Sequence, residues 1–596
     1  MAGAPSAFLG VTRSLRGRKW LARLDDNSRA VEIAQKTGVE ELVGRVLAGR
    51  GIAPEQVRDH LAPTLRNYLP DPMVLADMER AAERIVAAIL AGERIAVFGD
   101  YDVDGATSSA ILARFLTGFG RTPRLYIPDR IGEGYGPNPE AFAQLAGEGA
   151  SLIITVDCGT QSYAAMAEAV RLGVDVIVLD HHLAEEALPP AHAIVNPNRH
   201  DDMSGLGQLA AVGVTYLTVI AVNRLLRAGG HYDDRSEPDL LQWLDLVALG
   251  TICDVVPLTG LNRAMVAQGL KVMARRENIG LGALMDTARA EGPPDTYLAG
   301  FMLGPRINAA GRIGDASLGV RLLTSSDTDE AETIAHRLDA LNAERKAMEE
   351  RVMAEAMERA EAELEADPDC PVLVLADSGW HAGLIGIAAG RIKERFERPC
   401  IVIGLDGASG KGSGRSVPGV DLGSAIRAAA DLGLIEKGGG HPVAAGLSLN
   451  EGQVEGFRAF MRERLGEDVA AARALGAFQL DGAMTAGGAS LELVRALQAA
   501  GPFGNGNPQP RFAFPAHQVS YADIVGNGHV RCSLRDGSGA ALAAIAFRAA
   551  NTPLGEALLG ADVRPMHVAG SLKIDTWQGR EKVKLFIDDA ALPGMG

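Results

Sequence analysis

The stretch Ile95-Ala96-Val97-Phe98-Gly99-Asp100-Tyr101-Asp102-Val103-Asp104-Gly105 decides how the rest of the chain is read. Ile95 to Phe98 is a short, unbroken apolar run, the pattern of a strand covered on both faces. It ends at Asp100. A helical pattern follows from about Ser108 to Phe119, and another precedes it from Met78 to Leu90. Working outward, Leu152 to Val156 is a second apolar run and stops at Asp157. Val174 to Leu179 is a third and stops at Asp180, with a helical stretch near Tyr163 to Leu172 between them. Apolar strands alternating with helices predict an α/β unit built on a parallel sheet. Such sheets bind ligands beyond the carboxyl ends of their strands, where the strand order reverses. Three strands that each deliver an aspartate to that edge make it the candidate site.

More donors lie around those three. Asp102 and Asp104 follow the first strand, His181-His182 follow the third, and Gly250-Thr251-Ile252-Cys253-Asp254 places a carboxylate behind another apolar run. Carboxylates with one or two imidazoles suit a divalent ion such as Mn²⁺ or Mg²⁺. With this many anions converging, two ions are expected; a pair ~3.5–4 Å apart stabilises both oxygens of an in-line phosphoryl displacement. Structural readings compete at single positions. A lone strand-end Asp commonly caps a helix, and the competing reading of Asp104 is that it shapes the turn and caps the helix that follows. Asp100 to Gly105 begins like an EF-hand calcium loop, but the twelfth position is Ile111 instead of Glu and the preceding element is a strand. Caps alone do not account for acids at three strand ends together with Asp180-His181-His182.

The remainder divides by pattern. A chain of 596 residues is too long for one hydrophobic core. Residues 1–75 read as a lead-in of short helical patterns broken by Gly51, Pro54, Pro63 and Pro70; residues 76–325 form the parallel-sheet domain. Residues 326–368 hold a charged helix ended by Asp367-Pro368, which reads as a solvated connector. A smaller α/β domain spans 369–465, opening with Val372 to Leu375, and residues 475–594 show the short alternating strands of a small β-barrel. In the smaller α/β domain, Ser413-Gly414-Arg415-Ser416 and a Gly438-Gly439-Gly440-His441 turn offer backbone amides and a guanidinium fork to phosphate. Lys411 is followed by Gly412, which excludes a Walker A loop. Arg130 and Arg312 are additional phosphate candidates, with surface salt bridges as the competing reading of each arginine.

Composition limits the function classes. The net charge of −17 argues, taken alone, against a polyanionic partner, yet binding follows the local field and metal-holding carboxylates add acidity of their own. Five cysteines, at 158, 253, 370, 400 and 532, contain no C-x-x-C, which fits reduced thiols in the cytoplasm and neither a disulfide framework nor a zinc ribbon. Arg13, Arg16, Arg18 and Lys19 precede no apolar leader segment. No apolar run reaches the ~20 residues of a membrane span, so no membrane partner is expected.

Gly99 to Gly105, Val156-Asp157, Asp180-His181-His182 and Gly250 to Asp254 resemble, in order, the four motifs of the DHH phosphoesterase superfamily. Gly304-Pro305-Arg306-Ile307-Asn308-Ala309-Ala310-Gly311-Arg312 and Gly438-Gly439-Gly440-His441-Pro442 are similar to segments of the RecJ exonucleases within it. Arg18-Lys19-Trp20, the connector and Pro502-Phe503-Gly504-Asn505-Gly506-Asn507-Pro508 extend that resemblance to nearly the whole chain. It implies a DHH domain, a helical connector, a DHH-associated domain and a C-terminal OB-fold. It assigns Asp100, Asp102, Asp157, His181 and Asp254 to two Mn²⁺ or Mg²⁺ ions, with Asp157 as a bridge. Asp157, His182 and Asp104 take catalytic roles, His182 at the scissile phosphate or behind the ligands. Arg130, Arg312, Ser413, Arg415, Gly440 and His441 contact substrate as the DHH-associated domain closes over the terminal phosphate. One departure stands out: some superfamily members place a histidine ligand shortly before the first Asp, where this chain has Ala96-Val97-Phe98.

The implied activity is a single-stranded-DNA-specific 5′-to-3′ exonuclease that releases 5′-mononucleotides in DNA repair and recombination. The implied enzyme is a monomer, with a single-strand-binding protein and a recombination helicase as further partners. In the barrel, Phe512, Tyr521, Phe547 and Trp577 are available for stacking, with Arg531, Arg535, Lys582 and Lys584 near them in sequence. Most of these aromatics read as core, and Trp577, in a hairpin flanked by Gly and charge, is the expected strand contact. Two other readings share the metal core: a phosphodiesterase of cyclic dinucleotides or very short oligonucleotides, and a non-catalytic replication scaffold.

Overall fold

The computed structural model describes residues 6–130, 132–560, 564–577 and 579–594, with only the backbone of Ala474, Leu475 and Trp577. The chain forms two compact units. One comprises Pro70–Val256 and Gln268–Leu475; the other gathers Met1–Leu69, Pro257–Ala267 and Gly476–Gly596.

The first unit contains two sheets. Strands β1 (Ile95–Gly99), β2 (Arg124–Tyr126), β3 (Leu152–Val156), β4 (Asp175–Leu179) and β5 (Ala193–Val195) form a five-stranded sheet in the order β2-β1-β3-β4-β5. Every pair is parallel. β1 and β3 are buried at all five positions, as their unbroken apolar sequences require. The chain leaves β1 toward β2 on one side and then crosses to β3 on the other, so the strand order reverses between the carboxyl ends of β1 and β3. Helix α1 (Val103–Gly118) starts at that point and runs through the interior. Helix α2 (Ala211–Ala228) has the length and apolarity of a membrane span, yet 78% of it is buried in the fold, which makes it a core helix.

Helix α3 (Leu244–Cys253) packs on α1 and α2, and α4 (Gly304–Ile313) follows a π-helical segment, Leu298–Leu303. The long helix α5 (Thr328–Ala366), capped by the Asp327 carboxylate on the Glu330 amide at 3.0 Å, corrects the solvated connector. Ala331, Ile334, Leu338, Leu341, Val352, Ala356 and Ala360 form a buried stripe, which packs α5 against α4 and the helix Ile385–Phe396. Charge density read from sequence hid this stripe because alanine supplies much of it. The second sheet holds β6 (Leu373–Asp377), β7 (Cys400–Asp406), β8 (Ser409–Arg415), β9 (Lys437–His441) and β10 (Ala444–Asn450) in the order β9-β10-β8-β7-β6. The Gly438 to His441 segment is therefore a sheet-edge strand and not the expected turn.

In the second unit, β11 (Phe512–Val525), β12 (His529–Arg535), β13 (Ala541–Ala546), β14 (Met566–Trp577) and β15 (Arg580–Ala591) pair as β11-β12-β13-β15-β14. A further pairing of β14 with β11 closes the barrel. The segment read as a lead-in folds within this unit: Lys19–Ala22 pairs in parallel with Ala477–Leu480, and Ile33, Val43, Val46 and Leu47 join the barrel core.

Candidate active site

The site grows from the turn after β1. The Asp102 side chain caps α1, accepting from the Asp104 and Gly105 amides at 2.9 and 3.1 Å. Asp104 caps a different helix from the one expected. Its carboxylate accepts from the Ala211 and Val212 amides at 2.7 and 2.9 Å, so it holds the start of α2. Gly105 is needed here, since a methyl group at its α-carbon would stand 2.4 Å from the Asp100 carbonyl oxygen. At the end of β3 Asp157 adopts φ = 61°, a left-handed conformation that costs a non-glycine residue about 1 kcal/mol or more and recurs at functional sites. Asp254, the fourth contributor, comes from the C-cap of α3.

These elements bring seven candidate ligands together. The ligand atoms of Asp100, Asp102 and Asp157 lie within 4.8 Å of one another; so do those of Asp157, His181 and His182, and those of Asp104, His181 and Asp254. His181 Nε2 lies 3.3 Å from Asp157 Oδ1 and 3.6 Å from Asp254 Oδ2. Asp100 Oδ1, Asp157 Oδ1, His181 Nε2 and Asp254 Oδ2 are all buried without a hydrogen-bond partner in the protein. Buried polar atoms in that condition are costly, and four facing one another as anions and a lone pair form a donor set for hard cations. The residues fit a divalent-metal site.

Charge follows from this crowding. Burial, then repulsion from Asp102, pushes the Asp100 carboxyl well above its usual range, and the same two causes act on Asp157. Burial and repulsion by Asp102 raise Asp104 to about 7; burial and the charges of Asp104 and Asp102 raise Asp254 to about 9. Burial lowers His181 to about 4, leaving a neutral imidazole able to ligate. His182 behaves oppositely. Burial would lower it, but its 2.7 Å hydrogen bond from Nδ1 to Asp180 and that carboxylate's charge hold it at about 9. Asp180 itself is satisfied by His182 and by the Thr160, His181 and His182 amides. It is thus an orienting group, although its sequence position equals that of a ligand.

A cationic group faces this anionic one. Arg130 stacks 4.8 Å over the Tyr101 ring; Arg312 donates to the Gly383 carbonyl at 2.8 Å; Arg415 donates to Ser413 Oγ at 3.0 Å. Among the described residues none of the three pairs with a carboxylate. Burial and the neighbouring charges of Arg130, Arg345 and Arg415 lower Arg312 to about 10, so these guanidiniums crowd one another. Arg130, Tyr135, Lys411, Ser413 and Lys437 line a cavity of about 570 Å³, large enough for a nucleotide. Glycines at 410, 412 and 414 place only backbone on one face of β8, and methyls at 412 and 414 would meet Leu447 at 2.8 Å and Leu422 at 2.6 Å.

The expected residues are not all in one place. Arg130 and Ser413 line that cavity, with Arg415 bonded to Ser413 behind it; Arg312 opens on a second hollow beside Asp129 and His381. Gly440 and His441 end the edge strand β9, where the Gly440 carbonyl accepts from Arg427 at 2.8 Å. The Trp577 side chain lies outside the described residues. Of the other barrel aromatics, Phe512 is core while Tyr521 and Phe547 are about half exposed, against the expectation that most are buried. Sequence reading missed Tyr135, whose hydroxyl lies 3.0 Å from the Asp157 carbonyl oxygen and 3.2 Å from His182 Nδ1. It also missed Asn196, which donates to Thr160 Oγ1 and the His182 carbonyl at 2.9 and 2.8 Å. Neither has a ligand-type pattern around it; the Gly134-Tyr135-Gly136 context is the one signal that marked an exposed tyrosine on a tight loop.

Residues 94–251 match the DHH family, N-terminal domain, residues 369–467 the DHHA1 domain, and residues 480–589 the RecJ OB domain. The single-stranded-DNA-specific exonuclease RecJ of Dickeya dadantii is 38% identical over 560 residues, covering 92% of this chain and 95% of that one. The RecJ of Escherichia coli is 37% identical over 562 residues, with the same coverage of 92% and 95%. The crystal structure of Thermus thermophilus RecJ in complex with Mn²⁺ superposes with a TM-score of 0.77 at 30% identity, over 95% of this chain and 78% of that one. The corresponding Mg²⁺ complex gives 0.72 at 28% identity, over 96% and 77%. The chain belongs to the RecJ family of the DHH phosphoesterases.

Proposed function

We propose that this protein is a divalent-metal-dependent exonuclease specific for single-stranded DNA, working 5′ to 3′ and releasing 5′-mononucleotides. The observation that carries the reading is the set of orphaned ligand atoms of Asp100, Asp157, His181 and Asp254, set against arginines that among the described residues have no carboxylate partner. An anionic cluster that needs cations beside a cationic cluster that needs an anion is the arrangement a phosphodiester substrate completes. The named activity and the Mn²⁺ and Mg²⁺ complexes of the RecJ relatives support the same assignment.

Asp100, Asp102, Asp157, His181 and Asp254 would hold two Mn²⁺ or Mg²⁺ ions, with Asp157, which belongs to two of the ligand groups, as the bridge. When bound, such ions neutralise phosphate charge and lower the pKa of water. The chain's own residues do the rest. Ser413, Arg415 and Arg130 grip the terminal phosphate through directed and charge-assisted hydrogen bonds. His182, oriented by its hydrogen bond to Asp180 and steadied by the Tyr135 hydroxyl, presents an N–H donor to an oxygen of the scissile phosphate. Asp104 acts at one remove, holding α2 and the Asp254 side of the cluster. A narrow path between the DHH and DHHA1 domains would admit a single strand and exclude a duplex.

Five free cysteines support a reducing, cytoplasmic setting. In the same proposal the enzyme is a monomer, and a helicase and a single-strand-binding protein deliver its substrate. Neither the small-substrate reading nor the scaffold reading gains support, because the carboxylates and His181 of the expected ligand set are all present and residues 480–589 match the RecJ OB domain. The test is Mn²⁺-dependent digestion of end-labelled single-stranded DNA blocked at either end. Stepwise mononucleotide release from the 5′ end, reduced at least about 10³-fold in Asp157→Ala, is expected. Release from the 3′ end, or undiminished release by the variant, rejects the proposal.

A further inference from the structure

Next to Asp254 the surface carries three features that folding alone does not call for. Phe301 and Tyr297 are 72% and 56% exposed, and their rings stack at 5.3 Å with an interplanar angle of 19°. Phe301 belongs to the π-helical segment Leu298–Leu303, and Pro305 shows why that segment widens: with no N–H, it cannot bond to the Phe301 carbonyl as an α-helix requires. Such π-segments recur at functional sites. Val255, directly after Asp254, is 64% exposed and held at φ = 61°, a conformation that a β-branched residue rarely adopts.

The π-segment and the end of α3 meet directly. A methyl on Gly300 would stand 3.2 Å from Ile252 Cγ2, and the Cys253 thiol lies 3.6 Å from the Ala299 carbonyl oxygen. The π-segment thus packs directly against the last turn of α3, whose C-cap is Asp254, and continues into α4, which carries Arg312. Two adjacent aromatic faces left in water offer apolar area that an occupant would bury. The substrate offers one. Every base presents a π-face, and sequence-tolerant stacking on exposed aromatics is how single strands are held.

We infer that Phe301 and Tyr297 form a stacking platform for a base on the 3′ side of the scissile phosphate, keeping the strand seated beside Asp254 between successive cuts. The inference rests on the proposed exonuclease reading. The 5′-terminal nucleotide is already accommodated by the cavity that Arg130 and Ser413 line, so the platform serves the strand that follows it.

The test compares a 5′-phosphorylated thymidine oligomer of about twenty nucleotides with the 5′-phosphorylated dinucleotide, using the full-length chain with Mn²⁺. In Tyr297→Ala/Phe301→Ala the KM for the oligomer should rise about tenfold, with kcat within about twofold and dinucleotide hydrolysis unchanged. Phe301→Trp should restore the oligomer KM and show fluorescence quenching when the oligomer binds. An unchanged oligomer KM in the double variant overturns the platform, as does an equal loss on both substrates, which would make the pair structural. Quenching without hydrolysis in the Phe301→Trp protein would support the platform while rejecting the nuclease reading; hydrolysis without quenching would do the reverse.

Discussion

The carboxyl edge of the parallel sheet and the wall of the barrel treat charge in opposite ways. At the sheet edge four ligand atoms are buried with no hydrogen-bond partner, and among the described residues Arg130, Arg312 and Arg415 form no ion pair with a carboxylate. On the barrel unit some surface cations do carry partners: Arg531 with Asp523 at 3.6 Å, Lys584 with Asp575 at 3.0 Å, and Arg495 with Glu581. The first region leaves buried ligand atoms that a bound ion would satisfy; the second pairs part of its charge at the solvent-exposed surface. A site for chemistry therefore differs from a surface for holding in what it leaves unsatisfied, and net charge over the whole chain records neither.

The strongest way to sharpen that contrast is to remove one unpaired cation. Arg415→Ala should lower kcat/KM on 5′-phosphorylated strands about a hundredfold, the worth of charge-assisted hydrogen bonds to one phosphate. Strands with a 5′-hydroxyl should lose almost nothing. Measured side by side, equal losses on both ends would show that Arg415 supports the fold of β8 and not the phosphate.

The acids offer the next test, through stability. Below pH 3.8 folded and unfolded chains both hold the protons of Asp104 and Asp254. Above it the unfolded chain releases them, while the folded one keeps them until about pH 7 for Asp104 and about 9 for Asp254. The folded state then binds more protons, so the metal-free protein loses stability as pH rises through this window. The Tm in chelator should fall by several degrees between pH 6 and 9, and Mn²⁺ should raise it more at pH 9 than at pH 6. A metal-free Tm that climbs over the same range would break the account of the cluster as mutually repelling carboxyls.

Much of this was legible beforehand. β1, β3 and β4 are short apolar runs that end on acids, and period and punctuation alone place Asp100, Asp157 and Asp180 at one sheet edge. What each acid does there was not legible. Asp180 and Asp157 have the same sequence context, yet one is saturated by three amides and a histidine while the other keeps an orphaned oxygen. That difference depends on Thr160, on the left-handed turn at Asp157 and on neighbours far along the chain. Asp104 caps α2, more than a hundred residues away, where local reasoning supplied only the next helix. The strand-forming glycines of β9 read as a turn because glycine signals turns in isolation. Their pairing with Ala444–Asn450 is a tertiary fact.

The smallest expected effect lies on the barrel, and it tests the other half of the comparison. Tyr521 and Phe547 are half exposed, with Arg531 over the Tyr521 ring at 6.0 Å and Phe547 packed edge-on to Phe586 at 5.3 Å. Because Arg531, the cation over the Tyr521 ring, is already paired with Asp523, holding at Tyr521 should come mainly from stacking, which weakens little with salt. Tyr521→Ala should raise KM for long strands about fivefold and leave dinucleotide turnover alone. The fold-change should be nearly the same at low and high ionic strength. Phe547→Ala should do less, since part of its ring already serves the barrel. If the Tyr521 effect instead vanished with added salt, the Arg531–Asp523 pair would have to open on binding, and the barrel too would hold latent charge that only a strand releases.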